Sequence, residues 1–341
     1  MKQLVSILIP AFNSEKWIGA CIESALAQTW PRTEIIIVDD GSQDSTLEIA
    51  RCYASTNVKV TTQSNRGASA ARNHALSLAQ GDYIQWLDAD DLLAPDTIAR
   101  KVNGAEPGRN SRVLLSGAWS MFFHCPERAQ FSPHSLWQDL DPLDWLLRRA
   151  NENVWMAINS WLVRRKLTEL AGPWNENLSP DDDGEYFSRV VSCSEKIRSI
   201  SEARCYVRRG FSGLSSADIF SDRKLDSQSA SIRAQVRSLS AMEDSQRVRA
   251  ACLALLQRWY FYFYPDRPDL MHEMELLAAG FGGQIHPPEL RPKYRWLQRA
   301  FGWHTAKKAM FLLPMLRSIP EREWDRLICL LRTSWKRKDR V

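Results

Sequence analysis

Residues 34–46 read EIIIVDDGSQDST. Glu34 to Val38 is a nearly continuous apolar run, the pattern of a strand buried on both faces of a parallel sheet. It stops on Asp39-Asp40-Gly41-Ser42, and Asp44 opens a helix to about Ala54. Upstream, Leu4 to Ile9 is a short β-rich run. Asn13 or Ser14 then caps a helix whose apolar positions Trp17, Ile18, Cys21, Ile22, Ala25 and Leu26 keep a 3.6-residue period. Downstream, Val58 to Thr62 is a third strand, Ala68 to Leu78 a third helix ended by Gln80-Gly81, and Tyr83 to Leu87 a fourth strand. Alternation of this kind predicts right-handed crossovers and an α/β fold with helices on both faces of a mostly parallel sheet.

After Arg112 the alternation breaks down. Val113 to Ser116 reads as a strand, 119–160 as a Trp-rich stretch with many loop formers, Asp182 to Cys193 as a helix, and Lys196 to Ile200 and Arg204 to Arg208 as two strands. Beyond about Leu214 the period is helical, as over Asp244 to Tyr262, Arg267 to Ala279 and Glu321 to Trp335. The change of period predicts two domains, 1–215 and a helical extension 216–341. The 341 residues agree with that count at about 150 residues per domain.

Hydrophobic residues at 44% and charged residues at 25% are those of a folded protein. No apolar run approaches the roughly 18 residues that span a bilayer; Ala309 to Leu316 is interrupted by Pro314 and stops at Arg317. The N-terminus leads straight into the first strand and is read as that rather than as a signal peptide. The seven Cys are scattered without C-x-x-C, which argues against a disulfide framework or zinc cluster and for a reducing, cytoplasmic compartment. Residues 291–341 hold 14 Lys/Arg against 4 Asp/Glu, a net +10, so the preceding 290 residues carry −5. No nucleic-acid-binding motif accompanies that basic tail. Its charge is suited to anionic lipid at the inner face of a membrane, or else belongs to a solvated helix face.

The acids fall where a parallel sheet binds ligands, outside the carboxyl ends of strands. One strand ends in Asp39-Asp40, another in Asp88-Ala89-Asp90-Asp91. On its own the first reads equally as a capped strand-to-helix turn. The second is harder to read so: carboxylates about 5 Å apart repel by roughly 3 kcal/mol at an effective dielectric of 20, and three within four residues invite a hard cation such as Mg²⁺ or Mn²⁺. In Asn65-Arg66-Gly67-Ala68-Ser69-Ala70-Ala71-Arg72-Asn73, the small residues open a helix N-terminus suited to an anion, and Arg66 and Arg72 offer charge to a diphosphate; tight packing is the plainer reading. The absence of G-x-G-x-x-G after the first strand and of G-x-x-x-x-G-K-[ST] weighs against dinucleotide and P-loop enzymes.

SILIPAFN (6–13), EIIIVDDGSQDST (34–46), NRGASAARN (65–73) and YIQWLDADD (83–91), in this order and spacing, resemble the signatures of family 2 inverting glycosyltransferases with a GT-A fold. LSPDDDGEYFSR (178–189) resembles that family's acidic base motif, with Asp182 where Glu is commoner. The resemblance implies a sugar transferase using a nucleotide-sugar donor, most often UDP-linked, and a glycan or lipid-linked acceptor, in cell-surface polysaccharide biosynthesis. It places Pro10, Ala11 and Phe12 at the base, Asn13 and Glu15 near ribose or base, Asp39 on a base N–H, and Arg72 on the nucleotide. It places Asp88 at ribose or a metal-bound water, Asp90 on the metal, and Asp183, or else Asp182, as the base that deprotonates the acceptor. The plainer reading of PDDDGE is capping of the following helix. A non-catalytic nucleotide-sugar-binding or scaffold protein is the rival function. Trp259 to Tyr264, WYFYFY, is expected to be mainly core, with sugar stacking as the alternative.

Overall fold

A computed structural model describes residues 2–105, 111–209 and 221–338. The expected domain boundary at 215/216 and the side chain of Trp335 lie outside the described residues.

The strand read from EIIIV is β2 (Thr33–Asp39), and it lies between β1 (Val5–Ala11) and β3 (Val58–Thr62), parallel to both. β4 (Tyr83–Trp86) runs parallel on the other side of β1. The side-chain alternation of a strand divides the core in two. Leu8, Ile36 and Val38 face a cluster with Ala71 and Ala75 of α3 (Ala68–Leu78). Ile7, Ile9, Ile35 and Ile37 face the helices α1 (Ile18–Leu26), α2 (Thr46–Arg51) and, farther along, α4 (Thr97–Asn103). This is why the run is continuously apolar.

The rest of the sheet is mixed, with β5 (Leu92–Leu93), β6 (Val113–Phe122), β7 (Trp161–Arg164) and β8 (Lys196–Arg208) giving the order β3-β2-β1-β4-β7-β6-β8-β5. β7 is antiparallel to β4 and β6, and β8 is parallel to β6. The two strands expected at 196–200 and 204–208 are one. Ile200 pairs with Gly117 and Arg204 with Ala118, so residues 201–203 form an irregularity within a single ladder, where the Ala203 carbonyl comes too close to Gly117 for any Cβ there. The stretch 119–160 is not all loop either. Pro142 at the first helical position starts α5 (Pro142–Glu152), a helix ended by Asn153 in the left-handed region.

α6 (Arg165–Ala171) and α7 (Asp182–Cys193) follow, then α8 (Asp222–Ser240), α9 (Gln246–Phe263) and α10 (Pro268–Gly280). Ile232, Val236, Leu255 and Phe263 of these later helices belong to the same apolar cluster as Leu8 and Ile36. α11 (Arg295–Lys338) bends at Gly302, φ 80°, and is anchored by Lys307, whose buried ammonium donates to the carbonyls of Tyr262 and Tyr264 and pairs with Asp266. No helix among the described residues is long and apolar enough to cross a membrane.

Candidate active site

The carboxyl ends of β1, β2 and β4 lie side by side. β1 delivers buried Pro10 and Ala11 and then Phe12, 46% exposed; the Ala11 carbonyl accepts from the Asp40 amide at 2.8 Å. Asn13 accepts from the Gln43 amide, and Glu15 Oε2 from the Ser45 amide at 3.2 Å. These contacts close a rim around Asp39. Its Oδ2 accepts from Thr62 Oγ1 at 3.0 Å and from the Ser42 amide at 3.3 Å. Its Oδ1 is buried and has no hydrogen-bond partner in the structure. A buried acceptor without a donor is costly, on the order of 1–3 kcal/mol.

Asp40 has a different role, one the sequence reading left open. Its carboxylate accepts from the amides of Arg66 and Gly67 at 3.0 and 2.8 Å and from Gln63 Nε2 at 2.8 Å. The anion at the N-terminus of α3 is therefore Asp40 itself, which corrects the expectation of a diphosphate on those amides. Gly67, φ 93°, gives the turn its left-handed conformation.

The two arginines of that motif both pair with carboxylates. Arg66 pairs at the surface with Glu176. Arg72 is buried, 6% exposed; its guanidinium donates to Asp88 Oδ1 at 2.9 Å and to Asp182 Oδ2 at 2.7 Å, and it lies over the ring of Trp174. Arg72 thus holds together the two acidic motifs, and its Nε is buried without a hydrogen-bond partner among the described residues.

The acids 88–91 diverge. Asp88 and Asp90 are half-exposed. Asp91 turns inward and accepts from Asn159 Nδ2 and the Arg208 amide, at 3.0 and 2.8 Å. Among the described residues no three His, Cys, Asp or Glu converge as a metal site. Asp91 thus leaves the expected three-carboxylate cluster, with Asp88 and Asp90 remaining half-exposed. A pair of carboxylate oxygens suits Mg²⁺ or Mn²⁺, which commonly take one or two protein carboxylates and complete their shell with water and substrate phosphate.

The N-terminus of α7 presents consecutive acids in different directions. Asp181, in the left-handed region at φ 63°, caps the helix, and its Oδ2 accepts from Gln228, Ser231 and Gln235 of α8 at 2.9, 2.8 and 2.6 Å. Asp182 turns to Arg72 and Ser69. Asp183 lines a cavity of about 540 Å³ between α5, α7, α8 and α9. Burial, reinforced by the charges of Asp182 and Asp181, pushes the Asp183 carboxyl up to about 7. Gly184 is required beside them: a Cβ there would lie 2.1 Å from Asp181 Oδ1 and 2.9 Å from Arg149 Nη2. Of the WYFYFY run, Tyr260 and Phe263 are core, while Trp259 and Tyr262 reach the cavity wall.

Residues 6–118 match the model of glycosyl transferase family 2, which takes in Asp39, Asp88 and Asp90; Asp182 and Asp183 lie beyond it. An uncharacterized glycosyltransferase of Escherichia coli K12, YibD, is 43% identical over 186 residues, covering 51% of this chain and 54% of its own length. The chondroitin synthase of Escherichia coli is 46% identical over 97 residues, 28% of this chain and 14% of the synthase. The chain thus spans about half the length of the first of these relatives and much less of the second. Among solved structures, the Pyrobaculum calidifontis mannosyltransferase PcManGT, in complex with GDP-Man and Mn²⁺, superposes with a TM-score of 0.53 at 18% identity, over 98% of this chain and 88% of that one. TarS 1–349 of S. aureus, in complex with UDP-GlcNAc, gives 0.54 at 17% identity, over 85% and 95%. These two likenesses establish a GT-A-like fold, and residues 6–118 are similar in sequence to glycosyl transferase family 2.

Proposed function

We propose that the chain is an inverting glycosyltransferase that moves a sugar from a nucleotide-diphosphate donor, foremost a UDP-sugar, to a hydroxyl of a glycan or lipid-linked acceptor in cell-surface polysaccharide assembly. The observation that carries this reading is the divergence of Asp182 and Asp183. One carboxylate is tied through Arg72 to the acids at the sheet edge, and the next faces a cavity with its pKa raised to about 7. A general base poised near neutrality, with a separate donor-side acidic edge, is what an inverting displacement requires.

In this reading Asp39 Oδ1 accepts an N–H of the nucleobase, whose ring lies against Pro10, Ala11 and Phe12. Asp88 and Asp90 would hold Mg²⁺ or Mn²⁺, which supplies Lewis-acid stabilisation of the departing diphosphate. The Asp183 carboxylate takes the proton of the acceptor hydroxyl as its oxygen attacks the anomeric carbon. The bond from that carbon to the diphosphate oxygen breaks, and the nucleoside diphosphate leaves with the electron pair. Arg72 fixes Asp88 and Asp182 and thereby sets the separation of donor and base.

The basic tail is read as a peripheral contact with an anionic membrane. Trp296, Phe301 and Trp324 are each more than 60% exposed on α11, with Leu316, Leu327 and Leu331, among basic side chains, while Trp303 and Phe311 instead pack on Phe261. Aromatic and aliphatic side chains outside, with Lys and Arg around them, suit a headgroup layer.

The test is a screen of UDP-, GDP- and dTDP-sugars for hydrolysis and nucleotide binding, with Mn²⁺ and with EDTA. Metal-dependent turnover of one donor class is expected. Absence of binding and turnover for all three would overturn the reading in favour of a scaffold.

A further inference from the structure

The cavity that Asp183 enters carries two guanidinium groups. Arg149, from α5, donates to Ser188 Oγ at 3.1 Å and Gln235 Oε1 at 2.8 Å and has Asp181 and Asp183 as its nearest charges, so its own charge is compensated. Arg258, from α9, is half-buried and differs. Its Nη2 donates to the carbonyls of Ala150 and Asn151, at 2.6 and 3.4 Å, where α5 ends. No carboxylate pairs with it among the described residues, and its charged neighbour is Arg149, of the same sign. Its remaining N–H donors have no protein acceptor among the described residues. The surrounding wall is aromatic: Trp155, itself tilted against Trp119 with ring centroids 4.1 Å apart, with Trp259 and Tyr262 tilted against each other at 4.9 Å.

Such a wall offers faces to the C–H side of a sugar ring, and the volume is that of a small-molecule site. A neutral sugar leaves the Arg258 charge uncompensated beside a second cation. A carboxylate or phosphate meets the planar fork of a guanidinium with charge-assisted hydrogen bonds, at about twice the strength of neutral ones. The order of charges also sets direction. Arg149 stands near both Asp183 and Arg258, so an anion at the Arg258 end is shielded from the base, and a hydroxyl on the same saccharide is left for Asp183.

We propose that this cavity is the acceptor site and that it takes a saccharide bearing a carboxylate or phosphate, received by Arg258. The inference rests on the transferase reading above, with Asp183 as base.

Its test needs neither donor nor metal. The full chain is titrated, with NMR detection, with methyl glucuronide, methyl glucoside 6-phosphate and methyl glucoside. At least one charged sugar is expected to bind tenfold or more tightly than methyl glucoside, and the two charged arms tell carboxylate from phosphate. Arg258→Gln is expected to abolish the preference for the charged sugar over methyl glucoside; Arg258→Lys retains part of it. Equal affinities in the wild type overturn the inference whether or not a variant folds. So does a preference that survives Arg258→Gln, which would locate anion binding elsewhere, such as the basic tail. If the donor screen succeeds while this titration shows no charge preference, the transferase stands and the anionic acceptor falls.

Discussion

Arg72 and Asp182 meet at 2.7 Å across 110 residues of sequence, and the same guanidinium holds Asp88 at 2.9 Å. A single buried cation therefore joins the acids after β4 to the first turn of α7. Its removal leaves both carboxylates without their shared cation. Truncating one partner of a buried ion pair costs about 3–5 kcal/mol, and the partial exposure of Asp88 puts this site at the lower end. Arg72→Ala is expected to lower the unfolding midpoint in urea by an amount equivalent to about 3 kcal/mol. Arg72→Lys, which keeps the charge but loses the fork, falls between. An unchanged midpoint in Arg72→Ala would show that the bridge is not structural.

Asp183→Asn is expected to lower the rate of transfer by at least the 10²–10⁴-fold that general-base help typically contributes, with nucleotide affinity within about twofold of wild type. Asp182→Asn weakens Arg72's hold and reduces transfer less. Steady-state rates for both variants decide between the two acids, because the opposite ranking would make Asp182 the base.

The rate should also rise with pH through about 7, because Asp183 acts only when deprotonated and burial together with Asp182 and Asp181 holds its proton on. Removing the Asp182 charge removes part of that cause. The acid limb of kcat/KM in Asp182→Asn is therefore expected at lower pH than in wild type. A limb that stays in place, or moves upward, would separate the profile from Asp183.

Gly184→Ala sets two effects against each other. Alanine favours a helix over glycine by about 1 kcal/mol. Here its Cβ falls 2.1 Å from Asp181 Oδ1, and overpacking of that kind costs about 1–3 kcal/mol. The clash is expected to win: a lower thermal midpoint, and slower transfer as the first turn of α7 shifts. A more stable variant with full activity would mean that Asp181 moves aside freely.

At low ionic strength the full chain should pellet with phosphatidylglycerol vesicles and be released by salt, since attachment at about 1 kcal/mol per basic residue decays within a Debye length of about 8 Å at physiological salt. Combined Trp296→Ala, Phe301→Ala and Trp324→Ala should weaken it. A protein that ignores the vesicles at low salt refutes the membrane reading of the tail.

The fold of the first part of the chain was legible because its signals are local. Continuous apolar character in β2 reflects burial on both faces, and Asp39 and Asp88 stand where strands end. What was not legible depends on partners far away in the chain. Nothing near Asp40 announces that it accepts from the start of α3, and nothing near Arg72 announces Asp182. Asp91 is identical in type to Asp90 and differs only in facing Asn159 and Arg208. The helix α5 did carry a local signal, Asp141-Pro142 ahead of an amphipathic run, masked by the Trp and loop formers around it. The cavity exists only where four helices meet, which no single stretch encodes.

The grip of Gln228, Ser231 and Gln235 on Asp181 bears on how such chains are recombined. The capping residue of the helix that carries the proposed base is held by side chains contributed from after the family-matched segment. The first part of the chain is thus not a detachable module. A chimera that exchanges the later helices must import the same three polar contacts, or it will keep the sheet edge next to a displaced first turn of α7.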